Sequence, residues 1–267
     1  MRFILGGGDT EMIEIARLLA ATDYSVEYAK LGPVRVNRSE AYEATHPTPK
    51  PYDVWIECKP SGYSKKELYS LGIDLIDHHQ EGDYGYGMPA SLYWEASSIG
   101  QLCKKLSIQR TQRLSYVAAA DHCLLSAYHE QCPDIKREDF ISFRMEFFED
   151  HVGGDGPPFE YLKSLHSRAL RCPTISMGDA TLYDISSLIR TERKWLSDMG
   201  CCFNMKTISI RQKKNRYKMF VSNLSNSEIQ YFFDVFVPGL GSVVNTYGDP
   251  KRQFAGAVIE GEYVNQS

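Results

Sequence analysis

The chain has 267 residues, 43% hydrophobic and 24% charged, with a formal net charge of −4 at neutral pH. That length holds one large domain or two small ones. The mild acidity speaks against long duplex nucleic acid, which basic faces bind, and fits a small charged substrate handled in a local pocket.

Seven cysteines stand at 58, 103, 123, 132, 172, 201 and 202, an odd number with no C-x-x-C pair. The opening apolar run stops at Gly6 and carboxylates follow, unlike a secretory leader. No apolar run reaches the roughly 18 residues that a membrane span needs. These features predict a cytoplasmic protein with reduced thiols and no membrane association. Cys201-Cys202 reads as two small buried hydrophobes rather than half of a zinc site.

Residues 1–5 form an apolar strand that runs into Gly6-Gly7-Gly8. Met12, Ile13, Ile15, Ala16, Leu18 and Leu19 then recur at helical spacing. Ser25 to Tyr28 predicts a second strand, Val54 to Ile56 a third and Ile73 to Ile76 a fourth. Between the last two, Ser64 to Leu71 predicts a helix with Ser64 as its N-cap. Strands alternating with helices predict an α/β fold built on a mostly parallel sheet flanked by helices. A glycine-rich loop, Gly82 to Gly87, precedes helices over 91–106 and 112–128. The stretch 151–158 reads as a break, and 159–200 as a helical connector. Residues 206–223 predict a hairpin around a basic turn at Lys213, Lys214 and Arg216. The tail from Gly241 reads as loop-rich, ending in a strand. Together the last segments predict a smaller α+β C-terminal domain.

Ligands of open α/β sheets bind beyond the carboxyl ends of the strands. The first strand offers Asp9 and Glu11 there, the third Glu57, the fourth Asp77-His78-His79. One helix later, Asp121-His122 follows an apolar run. Four separated segments thus bring acids and imidazoles towards one edge. Such a donor set suits Mn²⁺, Fe²⁺ or Zn²⁺, and two such ions can clamp a phosphoryl group and activate water. Asp9 is equally a candidate N-cap for the first helix. The glycine triplet lacks the full G-x-G-x-x-G pattern, so a turn that delivers Asp9 is preferred to a dinucleotide loop. Tyr84 and Tyr86 are candidates for stacking on a base, with ordinary packing as the competing role.

In this order the motifs resemble the DHH phosphoesterase superfamily. Asp77-His78-His79 follows a strand, and Glu95-Ala96-Ser97-Ser98-Ile99-Gly100-Gln101-Leu102 resembles the small-residue helix after it. Asp9-Thr10-Glu11 resembles the opening D-x-D, and Glu57 and Asp121 stand where later metal-binding acids stand. Leu5 replaces a His that the family often carries, and Glu replaces Asp at 11 and 57. The resemblance covers about residues 1–150. It implies a DHH-type metal-binding α/β domain over 1–150, a linker with a helical connector over 151–205, and a small substrate-binding domain, a divergent DHHA1-like lobe, over 206–267. It implies that Asp9, Glu11, Glu57, His78 and Asp121 hold one or two divalent ions, with Mn²⁺ favoured. Asp77 would orient the site, His79 would face the substrate phosphate, and Gly248, Lys251 and Arg252 would bind substrate from the small lobe. The implied activity is hydrolysis, by metal-activated water, of a phosphodiester or phosphomonoester in a nucleotide or short oligonucleotide. The alternative is a catalytically impaired nucleotide-binding or scaffold protein.

Overall fold

The computed structural model describes residues 1–38, 40–152, 159–213, 215–250 and 253–261, with the backbone alone at 147–152, 192–194, 213 and 249. The first unit is built on β1 (Arg2–Leu5), α1 (Thr10–Ala20), β2 (Ser25–Tyr28), the short hairpin β3 (Lys30–Leu31) and β4 (Val34–Arg35), β5 (Asp53–Ile56), α2 (Lys65–Ser70), β6 (Asp74–Ile76), α3 (Tyr93–Ala96), α4 (Ser98–Leu106) and α5 (Gln112–His122). β2, β1, β5 and β6 form one sheet in that order, every pair parallel. Phe3, Ile4, Leu5, Val54, Trp55 and Ile56 are all buried. Burial of consecutive residues is what a parallel sheet covered on both faces requires. The register aligns Leu5, Ile56 and Ile76 in one row. The next residues, Gly6, Glu57 and Asp77, therefore leave the sheet side by side.

The second unit contains α6 (Leu124–Tyr128), α7 (Arg137–Val152), α8 (Phe159–Ala169), β7 (Thr174–Met177), β8 (Ala180–Asp184), α9 (Ile189–Cys202), β9 (Thr207–Lys213), β10 (Arg216–Ser222), α10 (Asn226–Tyr231), β11 (Val243–Asp249) and β12 (Phe254–Glu260). Its six strands run β11-β12-β10-β9-β8-β7. All neighbours are antiparallel except β8 and β9. Leu182, Ile208, Met219, Val221, Phe232 and Ala257 are buried against one another on this sheet. Arg144 is held inside the same unit by Asp198, with Nε to Oδ1 at 2.8 Å and Nη2 to Oδ2 at 2.9 Å. Tyr128 donates to the same carboxylate at 2.6 Å. The fold is thus α/β, with a parallel sheet flanked by helices and a separate mixed-sheet unit. Among the described residues no helix is long and apolar enough to cross a membrane.

Several boundaries differ from the sequence expectation. The two packed units are 1–123 with 131–135, and 124–130 with 136–267, where the sequence placed divisions at 150 and 205. The expected connector over 159–200 holds the β7–β8 hairpin, turned at Gly178, whose φ is +59°. The helix expected over 112–128 is two, because Cys123 adopts an extended φ of −151° after α5. The helix over 91–106 breaks at Ser97, whose side chain caps α4 by accepting from Gly100 N. Most of the expected tail loop is β11, paired along β12.

Candidate metal centre

Glycines shape the mouth of the first turn. A Cβ on Gly6 would stand 2.4 Å from the Glu57 carbonyl oxygen, and one on Gly7 would stand 2.6 Å from Arg38 N. Only bare backbone lets β1 pass Glu57 and the 36–38 loop this closely. Asp9 then caps α1, its Oδ1 accepting from Met12 N at 2.8 Å. Its Oδ2 lies 3.2 Å from Arg38 Nε. Capping and membership of the acidic group are therefore both true of Asp9. Glu57 directly follows β5 with φ +50°, a left-handed conformation costly for a side-chain-bearing residue and concentrated at functional sites.

Asp77 leaves β6 and turns back on its own segment. Its Oδ1 accepts from His78 N at 2.7 Å, His79 N at 3.0 Å and His79 Nδ1 at 3.0 Å. Tyr42 donates to its Oδ2 at 2.9 Å. Burial alone would raise the Asp77 carboxyl, but the bonds from His79 outweigh it and hold it below its ordinary value. Asp77 thus orients His79 directly. His78 instead meets Asp121, Nε2 to Oδ2 at 2.9 Å. Its ring stacks on His79 with centroids 4.3 Å apart and meets His122 edge-on at 5.3 Å. His122 Nε2 lies 3.1 Å from the Met88 carbonyl oxygen, so that nitrogen is engaged away from the acids. α5 delivers Asp121 because Leu114, Val117, Ala118 and Ala119 are buried on it.

Glu57, His78, His79 and Asp121 each offer one ligand atom, all within 4.8 Å of one another. Asp9 and Glu11 act on the same group through charge. The Asp9 carboxyl is pushed up to about 7 by burial and by Glu57 and Asp121, against the pull of Arg38. Glu11 is fully buried and rises well above its ordinary value, through burial first and then the charges of Asp121 and Glu57. Burial and Asp121 raise Glu57 as well. His79 moves to about 9: burial opposes its charge, but the bond to Asp77 and the charges of Glu57 and Asp121 prevail.

Glu11 Oε1 accepts from Ile99 N, at the start of α4, at 2.9 Å. Unless one carboxyl holds a proton, neither Glu11 Oε2 nor Glu57 Oε1 meets a donor among the described residues. Among the described residues, the carboxyls of Asp9, Glu11, Glu57, Asp77 and Asp121 gather around the imidazoles of His78 and His79 and the Arg38 guanidinium. Buried like charges of this kind need protons or a cation between them. Carboxylate oxygens and imidazole nitrogens within a few ångströms are the donors a divalent transition ion takes, so the residues fit the metal that the resemblance implies.

Of the other candidates, Leu5 is fully buried as the last residue of β1. Gly248 pairs with Ala255 in β11, where a Cβ would stand 2.8 Å from the Phe254 carbonyl oxygen; packing explains that glycine. Lys251, Arg252 and Lys214 lie outside the described residues. Sequence reasoning missed Arg35, Arg38 and Tyr42. Arg35 Nη2 donates to the Gly6 carbonyl at 2.9 Å, and its guanidinium lies 3.9 Å over the Tyr28 ring. Arg35 ends the two-residue strand β4, Arg38 lies in the loop after it and Tyr42 in a single helical turn over 41–43, pieces too short for periodicity to signal a role. The V-R-V-N-R spacing of the two arginines was the one available clue.

No protein-family model matches the chain, and no curated protein matches it. Among solved structures, the pGpG-specific phosphodiesterase PggH from Vibrio cholerae is similar at 10% identity and a TM-score of 0.34, over 97% of this chain and 92% of that chain. The likeness is a distant one.

Proposed function

We propose that the chain is a divalent-metal-dependent phosphoesterase acting on a phosphodiester or phosphomonoester of a nucleotide or short oligonucleotide. The observation that carries this reading is the buried group at the carboxyl end of the parallel sheet, where Glu11 Oε2 and Glu57 Oε1 meet no donor among the described residues unless one of the two carboxyls holds a proton. The order of the DHH-like motifs along the sequence supports it. Glu57, His78 and Asp121 would hold a cation, with Asp9 and Glu11 completing the set. A bound divalent cation, Mn²⁺ being favoured, supplies charge neutralisation for a phosphoryl group and a water acidic enough to react near neutral pH.

The chain's own residues supply the rest. Asp77 accepts a hydrogen bond from His79 Nδ1 and so fixes that ring, leaving Nε2 to donate to a phosphate oxygen. Tyr42 holds Asp77 in place, as the partners of site residues commonly do. Arg38 has an exposed side chain and, once a cation takes over Asp9, is available to hold phosphate as a charge-assisted donor. The test is Mn²⁺-stimulated hydrolysis of a model phosphodiester by the purified chain. Loss of that hydrolysis in both Glu57→Ala and Asp121→Ala is the expected result. Equal hydrolysis by the variants and the parent would remove the proposal.

A further inference from the structure

A cavity of about 710 Å³ lies beside β6, the edge strand of the parallel sheet, and none of the groups in the carboxylate cluster lines it. Its wall includes Leu75, Tyr69 from α2, Trp94 from α3, Lys104 from α4 and Tyr84 from the glycine-rich loop. Tyr69 and Tyr84 are 52% and 61% exposed, so two aromatic rings stand largely in solvent on one concavity. Small-molecule sites have this size and this mixture of aromatic walls with a few polar groups. Aromatic rings offered in this way are the platforms on which nucleobases stack.

The charges narrow the ligand. Lys105 Nζ pairs with Asp74 Oδ2 at 2.5 Å, so those two lining groups neutralise each other. Among the described residues, Lys104 and Glu95 line the same cavity without an ion-pair partner. Lys104 suits one anionic group, and Glu95 accepts from an amino group. We infer that this cavity is a nucleotide site separate from the carboxylate cluster, and that it takes an aminopurine nucleoside monophosphate.

The cavity is linked to the cluster through backbone. Gln101, on its wall, donates from Nε2 to the Asp77 carbonyl at 3.1 Å and the Ala96 carbonyl at 2.9 Å. Gly85, next to Tyr84, packs so closely that a Cβ would stand 2.7 Å from His78 Cβ. A ligand stacked on Tyr84 therefore touches the loop that rests on His78.

The experiment is titration of adenosine 5′-monophosphate into the full chain, kept in a chelator so that no cation serves the cluster. Saturable binding is expected, weakened about tenfold by Tyr84→Ala, as loss of one stacking partner implies. Lys104→Glu should weaken the monophosphate and leave adenosine unchanged, and Asp121→Ala should leave both unchanged. Tyr84 and Lys104 are exposed, so the folded state should survive either change. Binding that is absent in chelator, or that Asp121→Ala abolishes while Tyr84→Ala spares it, would overturn the inference. No Mn²⁺-stimulated hydrolysis by the parent chain, with this binding intact, would remove the phosphoesterase reading and leave the site standing.

Discussion

In chelator, the protein should become less stable as pH rises from about 5 to about 9. The Asp9 carboxyl sits at about 7 in the folded chain against 3.8 for an ordinary aspartate. The folded state therefore binds more protons than the unfolded state between those values, so stability falls as pH climbs through that window. Glu11 and Glu57 are raised too and act in the same direction. His79, raised to about 9 from 6.5, adds a stabilisation that is complete below 6.5 and disappears as pH approaches 9. Between about pH 5 and 7 the Asp9 shift alone removes about 3 kcal/mol, at about 1.36 kcal/mol per pH unit. Protons shared among the neighbouring acids reduce that sum. At about 2–4 °C per kcal/mol for a chain of this size, the melting temperature should drop by several degrees. A cation replaces the missing protons, so added Mn²⁺ should stabilise most at the alkaline end and release protons on binding. The assay is thermal melting across the pH series, with chelator and with Mn²⁺. A chelated protein whose melting temperature holds or rises over that range would refute the reasoning.

Gly6→Ala should cost about 1–3 kcal/mol, because its Cβ would meet the Glu57 carbonyl at 2.4 Å and the surroundings must shift; melting and Mn²⁺ titration should both register it. Asp198→Ala should cost about 3–5 kcal/mol by leaving the Arg144 guanidinium buried without its carboxylate. Pairing it with Arg144→Met should recover much of that loss in denaturant titrations. Tyr42→Phe should remove one donor from Asp77, cost about 1–3 kcal/mol and slow hydrolysis without changing the number of bound ions.

Much of the first unit was legible in the sequence because each signal was local. Apolar runs ending in Gly6, Glu57 and Asp77 mark strands whose carboxyl ends share an edge, and the parallel register aligns those ends. Ser64 with Glu67 spells a capping box, and both of its bonds form. Glu57 and Asp77 directly follow β5 and β6, and Asp121 lies in the last turn of α5, so the segments that carry acids and imidazoles could be read from the ends of local elements. What sequence hid depends on tertiary context. Cys123 ends α5 without a glycine or proline to announce it. Gly178 turns the β7–β8 hairpin, but strands of four and five residues inside a longer stretch read as helical give too short an alternation to stand out. Arg38 and Tyr42 approach the site from a loop whose path follows from the bare backbone at Gly7. His79 was assigned to the substrate alone, yet it stands within the same 4.8 Å group as Glu57, His78 and Asp121. A fold places atoms, whereas a motif places only residues along a chain.

The most direct test of the central claim is the metal content of the purified chain, counted as ions per chain after Mn²⁺ loading and removal of excess. The account predicts one or two divalent ions, lost on joint replacement of Glu57, His78 and Asp121. A folded chain that retains no ion after loading, or retains the same number without those side chains, would contradict it.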